Sequence, residues 1–410
     1  MKINSKLIIE PLLRMYPANH VVCRARILRG GKSRVLWFRL PIEHEKSLTD
    51  SADPFLLASL LLAMSYHCDI HVKGTVSPSL IDNLHSFQKK FVEWWPHIYS
   101  YSRITADNMS ETRHISDSRS TVIAFSAGID SGYSLYRHVR SLGDEPHFSI
   151  SSALMVHGFD IPLQQTEAFR EAFAKAGAMS ESLDVPLIPV ATNLRHFPVF
   201  WHHVFGTALA AVMSLFARTF ENGLIASGHQ STPYISEGSH PETDHFLSSN
   251  SFSVIHDGDG VTRLDKLRML QSWPEFLKDL RVCWAGPDKA ANCGECEKCI
   301  RTILFFRLLG VSPACFPGDV TDRQIARMKI PYFALLNSYQ VILRYIRDHN
   351  IQESWVSALT ENVSRHKSKF RLRMIKRRLS ERMPFPLYEK IYRANVLFNE
   401  WRSQVPRYDG

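Results

Sequence analysis

Two short stretches hold residue types and spacings that could do chemistry. The first, TVIAFSAGIDSGYSL (residues 121–135), runs an apolar segment into Ser126-Ala127-Gly128-Ile129-Asp130-Ser131 and then into a helical pattern. Side chains this small let backbone N–H groups approach an anion, and a following helix aims the positive end of its dipole at the same point. Phosphate is the natural guest. Asp130 would hold Mg²⁺ on that phosphate, with the Ser126 and Ser131 hydroxyls as further contacts. Read structurally instead, the stretch is a strand-to-helix turn in which Asp130 or Ser131 caps the helix.

The second stretch, RVCWAGPDKAANCGECEKCIRT (281–302), spaces Cys283, Cys293, Cys296 and Cys299 as C-x9-C-x2-C-x2-C. Four thiolates in that pattern suit a structural Zn²⁺, with short Cys-x2-Cys turns supplying the tetrahedral corners and an upstream cysteine closing the site. An iron–sulfur cluster, a redox pair and unrelated buried thiols are the other uses of such residues. Zinc is the expectation, because a four-cysteine set with Gly294 in its turn needs no open coordination position. Lys298 and Arg301 would partly offset the charge of a tetrathiolate. Cys23, Cys68 and Cys315 stand alone, so the clustering points to metal before disulfide.

These residues need elements to position them. From Thr121 to about Gly310 strand-like runs (TVIAF, SSALMV, PLIPVA, GLIAS) alternate with helical patterns that start at Gly132, cross Gln164 to Ala176, and fill WHHVFGTALAAVMSLFARTF. That alternation predicts βαβ units and a doubly wound parallel α/β sheet. In such sheets ligands bind beyond the carboxyl ends of the strands, where the 126–131 turn would lie. Residues 1–115 read as an N-terminal α+β domain, with a hairpin turning at Gly30-Gly31 and a helix from Phe55 to His67. A polar linker follows (106–120). From 316 to 410 only helical periodicity remains, which predicts a C-terminal helical domain.

The chain has 410 residues, 45% hydrophobic and 22% charged, an ordinary globular composition. Its longest apolar run, PFLLASLLLAM, falls short of the ~20 residues that cross a bilayer, and MKINSKLIIEP lacks a signal-peptide pattern. The expectation is a soluble cytoplasmic protein with no membrane partner. The net charge of +9 is local: Arg365 to Arg382 holds nine basic residues against the single acid Glu381. That segment could meet nucleic acid or an acidic protein, or dock on its own chain as an amphipathic helix.

The strand followed by Ser-Ala-Gly-Ile-Asp-Ser resembles the Ser-Gly-Gly-x-Asp-Ser loop of the PP-loop ATP pyrophosphatase superfamily, the adenine nucleotide alpha hydrolase-like group. With the four cysteines downstream, residues 120–310 resemble the 7-cyano-7-deazaguanine synthase family in motif order and separation. The resemblance implies a PP-loop (HUP-type) ATP-binding domain, residues 116–315, with a zinc knuckle. It also implies ATP, Mg²⁺ and Zn²⁺ as cofactors and Ser126, Ala127, Gly128, Ile129, Asp130 and Ser131 as the nucleotide site. The implied reaction is an AMP-forming carbon–nitrogen ligation, in which ATP adenylylates a carboxylate or amide oxygen for attack by nitrogen. Such relatives also occur in bacterial defence and polysaccharide gene clusters. Ala127 departs from the family's first glycine. It keeps the N–H but disfavours positive φ, so the backbone angle there bears on catalysis.

Within that reading Arg263 and Lys266, at i and i+3 on one helical face, would hold the β and γ phosphates and stabilise leaving pyrophosphate. Arg and Lys on helices are more commonly solvated. Asp160, in HGFDIP, would touch substrate or metal at a strand's carboxyl edge, or cap a helix near Pro162. The loop SGHQSTPYISEGSHPETDHFLSSN (227–250) is the expected substrate lid, offering Glu237, His240 and Asp244. The His202-His203 pair lacks metal-ligand spacing and reads as packed or exposed. Two other functions fit the same motifs: a PP-loop enzyme modifying tRNA held by the basic tail, and a non-catalytic nucleotide-binding partner protein.

Overall fold

The computed structural model describes residues 6–112, 114, 120–228, 236–331 and 335–380. The chain divides into two compact units, Met1–Thr262 and Arg263–Gly410. The boundaries expected at 115/116 and 315/316 fall inside these units.

The first unit is built on one ten-stranded sheet of order β10-β9-β6-β7-β8-β3-β2-β1-β4-β5. Its N-terminal elements are β1 (Lys6–Met15), β2 (His20–Arg29), β3 (Lys32–Pro41), α1 (Asp53–Ser65), β4 (Asp69–Val76), α2 (Pro78–Trp94) and β5 (Ile104–Met109). Gly30 and Gly31 join β2 to β3 with φ of 55° and 75°. Two positive-φ residues make the tight hairpin turn whose twist matches that of the strands. β1 to β3 run antiparallel, while β4 and β5 continue in parallel beyond β1. Residues expected to form a separate α+β domain therefore extend the central sheet, and β5 takes up part of the expected linker.

The remainder follows as β6 (Thr121–Ala124), α3 (Ile129–Val139), β7 (Ile150–His157), α4 (Thr166–Glu181), β8 (Leu187–Thr192), α5 (Trp201–Ser214), β9 (Asn222–Ala226) and β10 (Ser253–Asp257). All four pairings among β6 to β10 are parallel. In chain order these strands lie 5-4-1-2-3, the arrangement of a doubly wound sheet. α1 is apolar all round, as a helix buried on every side must be, and it packs against α5. Its first residue, Asp53, is buried; its carboxylate accepts the Ser77 N–H (2.9 Å) and hydroxyl (2.6 Å), joining the starts of α1 and α2. Burial pushes the Asp53 carboxyl above its ordinary pKa.

The second unit comprises α6 (Arg263–Leu270), α7 (Pro274–Asp279), α8 (Glu297–Leu308), α9 (Asp322–Arg327), α10 (Leu335–Asp348) and α11 (Ser354–Ser380). α8 packs on α6 and α10, and α11 packs on α9 and α10. A capping box starts α9: the Thr321 hydroxyl accepts the Gln324 N–H while Gln324 accepts the Thr321 N–H. No helix among the described residues is long and apolar enough to cross a membrane.

Candidate functional site

β6 is the strand at which the winding reverses. β7 and β8 lie on one side of it, β9 and β10 on the other, so the connections leaving β6 and β9 diverge. A crevice opens at such a point, beyond the carboxyl ends of the strands, and the Ser126–Ser131 turn sits there.

The turn is closed from within. The Ser131 hydroxyl accepts the Ser126 N–H (3.2 Å) and lies 3.3 Å from the Ser126 hydroxyl. Gly128 is the N-cap of α3, in extended conformation and with no side-chain cap bond. The first helical bond runs from Gly132 N–H to Gly128 O (2.8 Å). Asp130 therefore lies inside the first turn and does not cap it. The N–H groups at the start of α3 precede the helical ladder, so they suit an anion. Ala127 is buried with φ 57°, the left-handed region that favours glycine.

Behind the turn, α3 is fixed to the sheet by a buried cluster. Asp257, at the end of β10, accepts from Arg137 and from His138 Nε2 (3.1 Å). His138 Nδ1 accepts the Phe148 N–H (3.2 Å), which leaves its proton on the nitrogen facing Asp257. Burial alone would raise the Asp257 carboxyl; the bonds from His138 and Arg137 outweigh it and hold it well below the usual carboxylate range. The helix carrying Asp130 is thus anchored to β10.

Asp160 follows β7, the neighbour of β6, at the same sheet edge. In the loop after β9, residues 229–235 lie outside the described residues. The rest is packed. Asp244 is fully buried: its carboxylate accepts the His240 N–H (3.0 Å) and the Ser239 hydroxyl (2.6 Å) and faces His256 Nδ1 at 2.8 Å. His240 is buried with its ring 4.8 Å from that of Trp94, and its Nδ1 accepts the Glu242 N–H. Burial lowers its pKa. Both side chains hold the loop in shape, while Glu237 is half-exposed. His203 stacks on Trp95 (4.0 Å) with Tyr99 Oη 2.9 Å from its Nδ1, a packed histidine.

Besides the Arg137–His138–Asp257 cluster, His256 and Asn292 went unread in the sequence. His256 Nδ1 faces the Asp244 carboxylate at 2.8 Å, and its buried Nε2 has no hydrogen-bond partner among the described residues. The signal was SVIHD, a five-residue strand hidden behind a serine-rich loop. The other is Asn292, which staples the cysteine segment by accepting the Val282 N–H (2.8 Å) and donating to Leu280 O (2.7 Å) and Cys315 O (3.1 Å).

In the second unit the ligand atoms of Cys283, Cys293, Cys296 and Cys299 all lie within 4.8 Å of one another. Cys293 and Cys299 sulfurs are 3.9 Å apart, against the roughly 3.8 Å edge that Zn–S bonds of 2.3 Å give a tetrahedron. Backbone N–H groups of Cys293 and Cys296 donate to the sulfurs of Cys283 and Cys293 (3.3 Å each). Hydrogen bonds from the Cys296 and Cys299 thiols favour the Cys283 thiolate. Gly294 turns the Cys-x2-Cys loop at φ 74°, and a Cβ there would meet Pro317 Cγ at 2.8 Å. The four residues can hold a metal such as zinc. Arg301 pairs with Glu297 (2.7 Å) and Lys298 Nζ lies 3.6 Å over the Trp284 ring. Arg301 is thus committed to a carboxylate.

Arg263 and Lys266 occupy the first turn of α6 in this second unit, with Lys266 buried. The part of α11 that precedes the basic segment, together with His366 inside that segment, packs on α9 and the residues that follow α9. Asn362 donates to Ile325 O (2.6 Å) and Met328 O (3.0 Å), His366 Nε2 accepts the Ile330 N–H, and Trp355, Leu359 and Val363 are buried. Arg365, Lys367, Lys369 and Arg371 remain exposed. Arg382 lies outside the described residues. No family model, curated protein or solved structure matches the chain.

Proposed function

We propose that the chain is an ATP-dependent enzyme of the AMP-forming, PP-loop type, which adenylylates a carboxylate or amide oxygen for attack by nitrogen, as a 7-cyano-7-deazaguanine synthase does. One observation carries the reading: a small-residue turn, Ser126–Ser131, at the reversal point of a parallel sheet and opening a helix without a side-chain cap. Bound ATP supplies an α-phosphate electrophile and a pyrophosphate leaving group. The chain's part is to bind and orient: the N–H groups at the start of α3 receive phosphate oxygens, with the Ser126 hydroxyl beside them. Asp130, inside the first turn and not its cap, holds Mg²⁺. Asp160 and Glu237 are assigned to the acceptor. Zinc on the four cysteines is structural.

A second reading, modification of tRNA or another nucleic acid, draws on the exposed Arg365, Lys367, Lys369 and Arg371. Steeply salt-dependent binding of tRNA would favour it.

Asp130→Asn tests the first reading, because Asn keeps the shape and removes the charge. Release of pyrophosphate and AMP, with acceptor supplied from a cell extract, is expected to fall at least ~10²-fold while the melting temperature holds. Equal rates in both proteins, or ADP and phosphate as products, would reject it.

A further inference from the structure

A cavity of about 240 Å³ lies in the first unit between the tip of the β2–β3 hairpin, the end of α1 and Phe197-Pro198 after β8. Its floor is apolar, made of Leu7, Ile27 and Leu62, all buried, with Phe197 beside them. Its mouth is cationic: Arg29, Lys32 and Arg34 line it, and none of the lining residues is acidic.

Two of those cations are held in place. The Arg29 guanidinium lies 3.9 Å over the Tyr66 ring, and Arg34 donates to His196 O (2.9 Å). Arg29 Nε is buried without a hydrogen-bond acceptor among the described residues. A buried donor left unpaired carries an uncompensated desolvation cost, so it calls for an acceptor. The hairpin also places this cavity toward the carboxyl edge of the parallel strands: β3 runs antiparallel to β8 with Phe38 opposite Thr192, so Lys32 to Arg34 lie past the end of β8.

We propose that this cavity binds a small organic anion, with its carboxylate or phosphate on Arg29 and its apolar body, a short acyl chain or one ring, against Leu7, Ile27 and Leu62. The volume suits that class, since an apolar cavity of about 150 Å³ already takes up benzene. A planar guanidinium fixed over a ring offers parallel N–H donors to an oxyanion, and an apolar floor adds affinity that a bare inorganic ion cannot use. The site is independent of the nucleotide reading.

Methyl NMR titration of the full chain tests it with octanoate, octyl phosphate, 1-octanol and inorganic phosphate as probes. Octanoate or octyl phosphate is expected to shift the Leu7, Ile27 and Leu62 methyls saturably, and the tighter of the two identifies the headgroup. 1-Octanol should bind at least ~10-fold more weakly, the scale of one charge-assisted hydrogen bond, and inorganic phosphate should leave the methyls unmoved. Arg29→Met keeps the length of the side chain and removes its charge; it should cost the anions ~10-fold and leave 1-octanol unchanged. Lys32→Met, at the exposed mouth, gives the same direction with a smaller loss should the Arg29 variant fold poorly. Equal binding of octanoate and 1-octanol, or no saturable shift with millimolar octanoate, would overturn the assignment.

Discussion

Ala127 occupies a backbone position that its side chain opposes. A φ of 57° costs an L-residue roughly 1–2 kcal/mol, and glycine would escape that cost while gaining freedom in the unfolded chain. Ala127→Gly is therefore expected to stabilise the protein by up to ~1 kcal/mol, read as a rise in urea midpoint, and Ala127→Val to destabilise it by more. A fall in midpoint for the glycine variant would show that the Ala127 methyl, which is buried, contributes more packing than strain. His203 gives a pH-dependent counterpart. Burial lowers its pKa from 6.5 to about 4, with His202 adding to the shift. Between those values the unfolded chain binds a proton that the folded chain refuses. The stabilisation is thus full above pH 6.5 and is lost as pH falls toward 4, by on the order of 3 kcal/mol at most. His203→Phe keeps the stack on Trp95 and removes the titration, so its urea stability should fall less over that window. Parallel pH profiles for the two proteins would move the acid sensitivity elsewhere.

At the scale of elements, the cysteine knuckle and α8 depend on one another, because Cys296 is the N-cap of α8 and Cys299 lies in its first turn. Where a structural metal contributes folding energy, its removal unfolds what it closes. Chelation, or Cys296→Ser, should raise amide exchange across residues 282–302 while β6 to β9 stay protected, since the sheet belongs to the other compact unit. Metal analysis should find one zinc per chain; iron with a visible chromophore would replace this account. The cysteine spacing was legible because metal geometry imposes it within a few residues. TVIAF, SSALMV, PLIPVA and GLIAS were equally legible, being apolar runs bounded by turn signals. β10 was not, because Ser253–Asp257 is short and ends in two polar residues whose partners, Asp244 for His256 and Arg137 for Asp257, are distant or lie on another element. For the same reason the sequence offered Asp244 to substrate, whereas its buried carboxylate is occupied by Ser239, His240 and His256.

Over the whole first unit, the feature furthest from any local signal is the join between β3 and β8, whose paired residues lie far apart in sequence. β2 and β3 match along ten residue pairs, whereas β3 and β8 match along two, Phe38 with Thr192 and Arg39 with Ala191. Past that point a side chain replaces the missing rungs: Asn193 Oδ1 accepts the Trp37 N–H (3.0 Å) and its Nδ2 donates to Val35 O (2.8 Å). By strand pairing alone, the ten-strand sheet is two five-strand sheets joined by two residue pairs and one amide, while α1 on α5 and Trp95 on His203 cross the same join beside the sheet. Backbone opens first where few hydrogen bonds hold it, so in mild denaturant amide exchange should be fastest along the β3–β8 edge, while the packing of α1 on α5 keeps residues 6–109 on the sheet. Asn193→Leu is expected to speed exchange of the Trp37 amide without loosening β6 to β9. The sheet's continuity at its middle is then a matter of one side chain standing in for backbone, with the helices above it carrying the rest of the hold.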